Sequence, residues 1–198
     1  GLAAALFLLS GVGALVVETT WLRWLRLLLG GGAPAVSATL VAFMSGQALG
    51  AALAARFVAR ARRPLLAYGV VELLAAAASL AVPAGLTLGR AWLDPATDAL
   101  RDAPAVLAAA RYAVALAATL PAAICFGASL PLLARAAIPT AAGLGRGGAL
   151  LYGTNTVGAT VGAALASFVL PDWLGVSTGH AVGVSLLVLA GATAWAIG

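Results

Sequence analysis

Glu18 and Glu72 lie inside long apolar runs, LFLLSGVGALVVETTWL and LLAYGVVELLAAAASLAV. An ionised side chain in hydrocarbon costs about 2.5–3.5 kcal/mol on insertion scales and more in simulations. An acid kept there therefore has either a partner or a use, and the chemistry open to it is limited. It can pair with an arginine, or it can hold a cation or a proton. The polar groups that could share such a site are Arg111, His180, Gln47 and Asn155. Soluble-enzyme chemistry has no footing in this chain. GAPAVS and GLGRGG follow no strand and make no nucleotide loop. The one histidine has no acid placed for a catalytic set, and the single cysteine, Cys125, gives neither a disulfide nor a zinc spacing. No catalytic residue, metal or cofactor is expected.

These residues need elements to position them, and composition says which. Hydrophobic residues make up 63% of the 198 and charged residues 9%, with mean hydropathy +1.08. Soluble domains carry about 25% charged residues. Apolar runs long enough to cross a core of about 30 Å as helices recur along the chain. Lipid offers the backbone no partner, so the choice is helices or a closed barrel. The Leu/Ala-rich runs lack the two-residue alternation of barrel strands. The fold class expected is all-α, one polytopic bundle of six transmembrane helices over 1–198. The spans read as 2–25, 34–55, 65–89, 105–134, 148–170 and 177–197. Breakers separate them: GGGAP, Pro64 behind an arginine cluster, a polar stretch from Arg90 to Pro104, a glycine-rich 140–148, and Pro171-Asp172. Pro121 falls inside the fourth span, where a kink is expected.

All eleven basic residues are arginine. Arg56, Arg60, Arg62 and Arg63 follow the second span, and Arg135 and Arg146 separate the fourth and fifth. By the positive-inside rule that side is cytoplasmic, and both termini lie on it. Trp21, Trp24, Trp92 and Trp173 fall near the outer ends, and Trp195 near the inner. The net charge of +5 then reflects topology and attraction to anionic lipid. No basic patch is interleaved with stacking aromatics, so no nucleic-acid partner is expected. The chain begins at Gly1, without an initiator methionine or the charged region of a cleavable signal, and reads as processed or as a fragment.

A rise of about 1.5 Å per residue sets depths. Glu18 and Arg111 each fall roughly 10 Å from the outer face, which predicts a structural ion pair that His180 could join, if it is not simply an interfacial histidine. Glu72 falls roughly 10 Å from the inner face, with Gln47 and Asn155 near its level. No basic residue shares that level, so Glu72 reads as a proton or cation site. Glu72, Glu18, Gln47 and Asn155 are the candidates for binding a solute or a proton. Gly46-xxx-Gly50 and Gly158-xxx-Gly162 are spaced for close helix packing.

Taken together, ALVVETTWLRWL (14–25), AVSATLVAFMSGQALG (35–50), FGASLPLLAR (126–135) and LLYGTNTVGATVGAAL (150–165) resemble the membrane portion of the fused transporter/spermidine-synthase proteins, bacterial polyamine aminopropyltransferase homologues. The Glu of LLAYGVVELL (65–74) fits the same pattern. The resemblance runs in order along nearly the whole chain. It implies a bundle similar to half of a major-facilitator transporter, in a bacterial inner membrane. It also implies a following cytoplasmic synthase domain that binds decarboxylated S-adenosylmethionine and a polyamine. That domain has no counterpart in these residues, so no catalytic positions carry over. AARFVARARRP (54–64) keeps the arginines of the transporter loop motif but has Ala59 where an acid is expected, a departure that bears on the family's conformational latch.

Two functions follow as expectations. One is a transporter-like membrane domain that recognises or moves a small cationic, polyamine-like solute, as a homo-oligomer because six spans are half of the usual twelve. The other is a non-transporting anchor of an aminopropyltransferase, or an accessory subunit of a larger membrane complex, with Gly158 and Gly162 on a docking face.

Overall fold

The computed structural model describes residues 1–138 and 140–198, and its regular elements are all helical. The six long helices are α1 (Leu2–Leu29), α2 (Gly32–Val58), α3 (Pro64–Ala99), α4 (Pro104–Ala137), α5 (Leu144–Phe168) and α7 (Val176–Ile197). Between the last two lies a short helix, α6 (Leu170–Leu174), and a 3-10 turn at Ala141–Gly143 precedes α5. Among the described residues five helices are long and apolar enough to cross a membrane: α1, α2, α3, α4 and α7. This is a multi-pass helical membrane protein. At 25 residues α5 has the length, but Gly145, Arg146, Gly147 and Gly148 at its start and the Gly153–Thr156 stretch make it more polar than the others.

Several ends differ from the sequence reading. The first helix runs a full turn past 25 to Leu29, where Gly30 at φ 85° closes it and its N–H bonds the Arg26 carbonyl. A left-handed residue at that position favours glycine. The third runs ten residues past 89, through Arg90, Asp94 and Pro95, to Ala99. Its 36 residues make a rod of roughly 54 Å, longer than the hydrocarbon is thick, and its polar end carries the Asp98–Arg101 ion pair. Neither Pro121 nor Pro131 ends α4. The expected turn at Pro171-Asp172 is the helix α6, with Pro171 in its first turn and Gly175 at φ 78° closing it. The start of α5 reaches back to Leu144 rather than 148.

The packing order is not the chain order. Going around the bundle, α5 packs on α1, α1 on α7, α7 on α3, α3 on α4 and α4 on α2, while α1 also touches α2, α3 and α4 from the middle. Glycines set these approaches. A Cβ on Gly46 would strike Ala123, one on Gly50 the Ile124 carbonyl, and one on Gly127 the backbone of Gln47. Likewise Gly158 and Gly162 of α5 sit on the carbonyls of Leu8 and Val12 of α1. Gly69 and Gly191 face each other between α3 and α7. With no hydrophobic drive between helices in lipid, such close van der Waals contact is a main source of association.

One apolar cluster holds Leu6 and Phe7 of α1, Tyr68 of α3, Leu132 and Leu133 of α4, Leu151 of α5 and Ala194 of α7, so the start of α1 and the end of α7 meet at one end of the bundle. The larger cluster runs toward the other end around Val17, Trp21, Leu25, Leu86 and Leu93. Trp21 is 1% exposed and belongs to that core rather than to an interfacial belt, whereas Trp173 is 83% exposed. Near the second end, Arg23 donates to the carbonyls of Ala166 at 3.2 Å and Ser167 at 3.3 Å, groups that the end of α5 leaves open. Arg23→Leu is expected to lower stability by about 1 kcal/mol, read as an earlier midpoint when the protein is unfolded in mixed micelles by SDS.

Candidate functional site

Three helices bring polar side chains to one point inside the bundle. Glu72 of α3 is 0% exposed. Its Oε1 accepts from Ser10 Oγ of α1 at 2.8 Å and from Ser129 Oγ of α4 at 2.7 Å. Its Oε2 is buried and has no hydrogen-bond partner. The phenol of Tyr68, one turn earlier on α3, lies beside the same cluster and donates to the Leu6 carbonyl at 3.4 Å. Cys125, one turn before Ser129, is also close to Glu72. On the fourth side Gly191 of α7 lies against the Glu72 Cβ.

Ser10 also faces the other way. It lines a cavity of about 180 Å³ between α1, α2, α4 and α5. Gln47 and Asn155 line the same cavity with Tyr152, and Phe7, Phe43 and Phe126 supply aromatic wall. Phe126 stands between Phe43, at a ring separation of 6.0 Å, and Trp21, stacked at 6.4 Å. Gly11 makes room for the amide, since a Cβ there would fall 2.9 Å from Asn155 Oδ1. The cavity thus has two amides, a hydroxyl and a phenol on an aromatic lining, and no carboxylate.

The inner layer read from the sequence is brought together in this way, with a division that reading did not make. Gln47 and Asn155 reach the cavity, while Glu72 stands behind its wall, joined to it by Ser10. Ser10, Ser129, Tyr68, Tyr152 and Gly11 were missed. A usable signal was present: Ser10, Glu72 and Ser129 each lie eight residues from the same-side end of their helices, a common depth of roughly 12 Å.

The outer layer is not formed. Among the described residues the one ion pair is Arg101–Asp98, so Glu18 and Arg111 are not paired. The added turn of α1 also alters the depth read for Glu18. It sets Glu18 eleven residues from the helix end at Leu29, while Arg111 is seven from the start of α4. Glu18 instead lines a surface recess between α1 and α2 with Leu15, Thr19, Leu22, Val36, Thr39 and Leu40. His180 does not join it and is not interfacial. It is 3% exposed, packed edge-on to Trp24 at 4.8 Å, with Nε2 buried and unpartnered. Gly46, Gly50, Gly158 and Gly162 all serve packing within the chain, which leaves Gly158 and Gly162 no free docking face. Among the described residues no three His, Cys, Asp or Glu side chains converge as a metal site requires.

The fold and site define a helical membrane protein with a buried carboxyl centre beside an aromatic and amide-lined cavity. No protein-family model, curated protein or solved structure matches the chain.

Proposed function

We infer that this chain is a transporter-like membrane domain that binds, and in an assembly moves, a small organic cation of polyamine type. The cavity carries the reading. Ammonium groups are held by aromatic faces and by amide and hydroxyl oxygens that accept their hydrogens, and Phe7, Phe43, Phe126, Gln47, Asn155 and Ser10 supply both around one space. A volume of about 180 Å³ suits one ammonium end with its neighbouring methylenes, being below the roughly 300–1,000 Å³ of pockets that enclose a drug-sized ligand.

In this reading α5 crosses the membrane as a sixth span, since it lies along α1 on Gly158 and Gly162. The arginine-rich 56–63 loop and both termini then face the cytoplasm, with a bacterial inner membrane as the setting. The principal packing does not join α2 to α5, and a second copy across that opening would complete the cavity. The resemblance to the fused transporter/synthase proteins agrees with a polyamine-like solute, and the anchor role remains the competing reading.

The test is equilibrium binding of spermidine to the reconstituted chain. Gln47→Leu and Asn155→Leu are each expected to weaken binding about ten-fold, the effect of one hydrogen bond to a charged group. Loss of spermidine binding in neither variant, or its absence from the parent protein, overturns the reading in favour of an anchor.

A further inference from the structure

We propose that Glu72, Ser10 and Ser129 form a proton-binding centre that is loaded from the cavity through the hydroxyl of Ser10. Its use in driving solute movement rests on the function proposed above; its existence does not.

The geometry is that of a carboxylic acid. Both serine hydroxyls converge on Oε1, and Oε2 is buried without a hydrogen-bond partner. A carboxylate has equivalent oxygens and gains most when donors are shared between them. An acid has a carbonyl oxygen that accepts and a hydroxyl oxygen that carries the hydrogen. Oε1 takes the first part here and Oε2 the second. The Tyr68 phenol lies beside the same carboxyl and reaches the Leu6 carbonyl at 3.4 Å, and its oxygen can accept the hydrogen of the acid.

The surroundings provide no other counter-charge. No basic side chain pairs with Glu72 among the described residues. The titratable groups beside it are Tyr68 on its own helix and Cys125 on α4. From α1 it meets Ser10, and from α7 the glycine Gly191. Hard metal cations take six or more oxygens, and this centre offers one carboxyl with three hydroxyls around it. A proton needs one oxygen. An ionised, unpaired acid at this depth would carry the full cost of a charge in a low-dielectric interior.

The route follows from Ser10. Its hydroxyl bonds Glu72, and the residue is itself part of the cavity wall. A hydroxyl so placed passes a proton to Oε1 by accepting one from the cavity and releasing its own. A half-turn of the carboxyl group then carries that hydrogen to the Oε2 position and returns a bare oxygen to the two serines. Ser129 is 1% exposed and does not line this cavity, so from the cavity the entrance is Ser10.

Infrared difference spectroscopy of the reconstituted full chain tests this without any solute. At neutral pH the carbonyl band of a protonated carboxylic acid is expected, shifted on transfer to D2O, lost in Glu72→Gln and kept in Glu18→Gln. In Ser10→Ala the band moves as Oε1 loses a donor, and its exchange with D2O slows roughly ten-fold or more, on the scale of a lost relay group. In Ser129→Ala it moves without slowing. No band, a band undiminished in Glu72→Gln, or exchange equally fast in Ser10→Ala overturns the proposal. Should Glu72→Gln fail to fold, the two serine variants decide it alone. Spermidine binding without the band leaves the proposed function standing and removes this centre from it, and the band without spermidine binding does the reverse.

Discussion

Gly127→Val is expected to cost about 3 kcal/mol or more, at or above the upper end of what overpacking a core usually costs. A Cβ on Gly127 meets the backbone of Gln47 rather than a side chain that could turn away. From the other side Gly50 abuts the Ile124 carbonyl, so α2 and α4 must part along several turns to admit the new atoms. The displaced segment carries Gln47, and binding at the cavity should fall with stability. Unfolding in mixed micelles measures the effect. Gly148→Val is the control, since a Cβ there meets nothing within 4 Å, and a surface change of that kind stays within about 0.5 kcal/mol. Equal midpoints for the two variants would show that α2 and α4 are not in contact at Gly127.

Glu72→Ala carries the second large effect, a loss of about 2–4 kcal/mol. The side chain is wholly buried, so truncation leaves a void in the middle of the bundle. It also strips Ser10 and Ser129 of their shared acceptor, and buried polar groups left unpaired are costly. Glu72→Gln keeps the volume and an oxygen for both serines, and should cost within about 1 kcal/mol of the parent, the scale of one interhelical polar contact. An alanine variant as stable as the glutamine variant would show that the three residues do not hold α1, α3 and α4 together. The pair of variants separates packing from proton chemistry, because only the infrared band distinguishes Glu72→Gln from the parent.

The candidate site was half legible in the chain. Glu72, Gln47 and Asn155 stood out because polar side chains in apolar runs are few, and helix rise put them near one level. Glu18 stood out for the same reason, yet it is buried at 9% exposure beside a recess between α1 and α2, away from the cavity and from Arg111. Four residues more of α1, Arg26 to Leu29, shift a depth estimate by roughly 6 Å, more than an ion pair can span. Trp21 misled in a related way. Tryptophan near a span end reads as interfacial, but the same extra turn draws it into the core beside Phe126.

By itself the sequence determined that the chain is helical and lies in a membrane, because composition and run length leave the backbone no other way to bond. It also determined which residues are out of place there. Only the tertiary structure decided that α1 packs on α5 and α7, that Glu72 stands behind the cavity wall, and that Ser10 faces both. These depend on how far each helix is rotated about its axis, and a run of leucine and alanine reads alike on every face. The glycines set that rotation, since helices approach where a Cβ is missing. Which glycine meets which carbonyl is a property of the pair, and neither strand of sequence carries it alone.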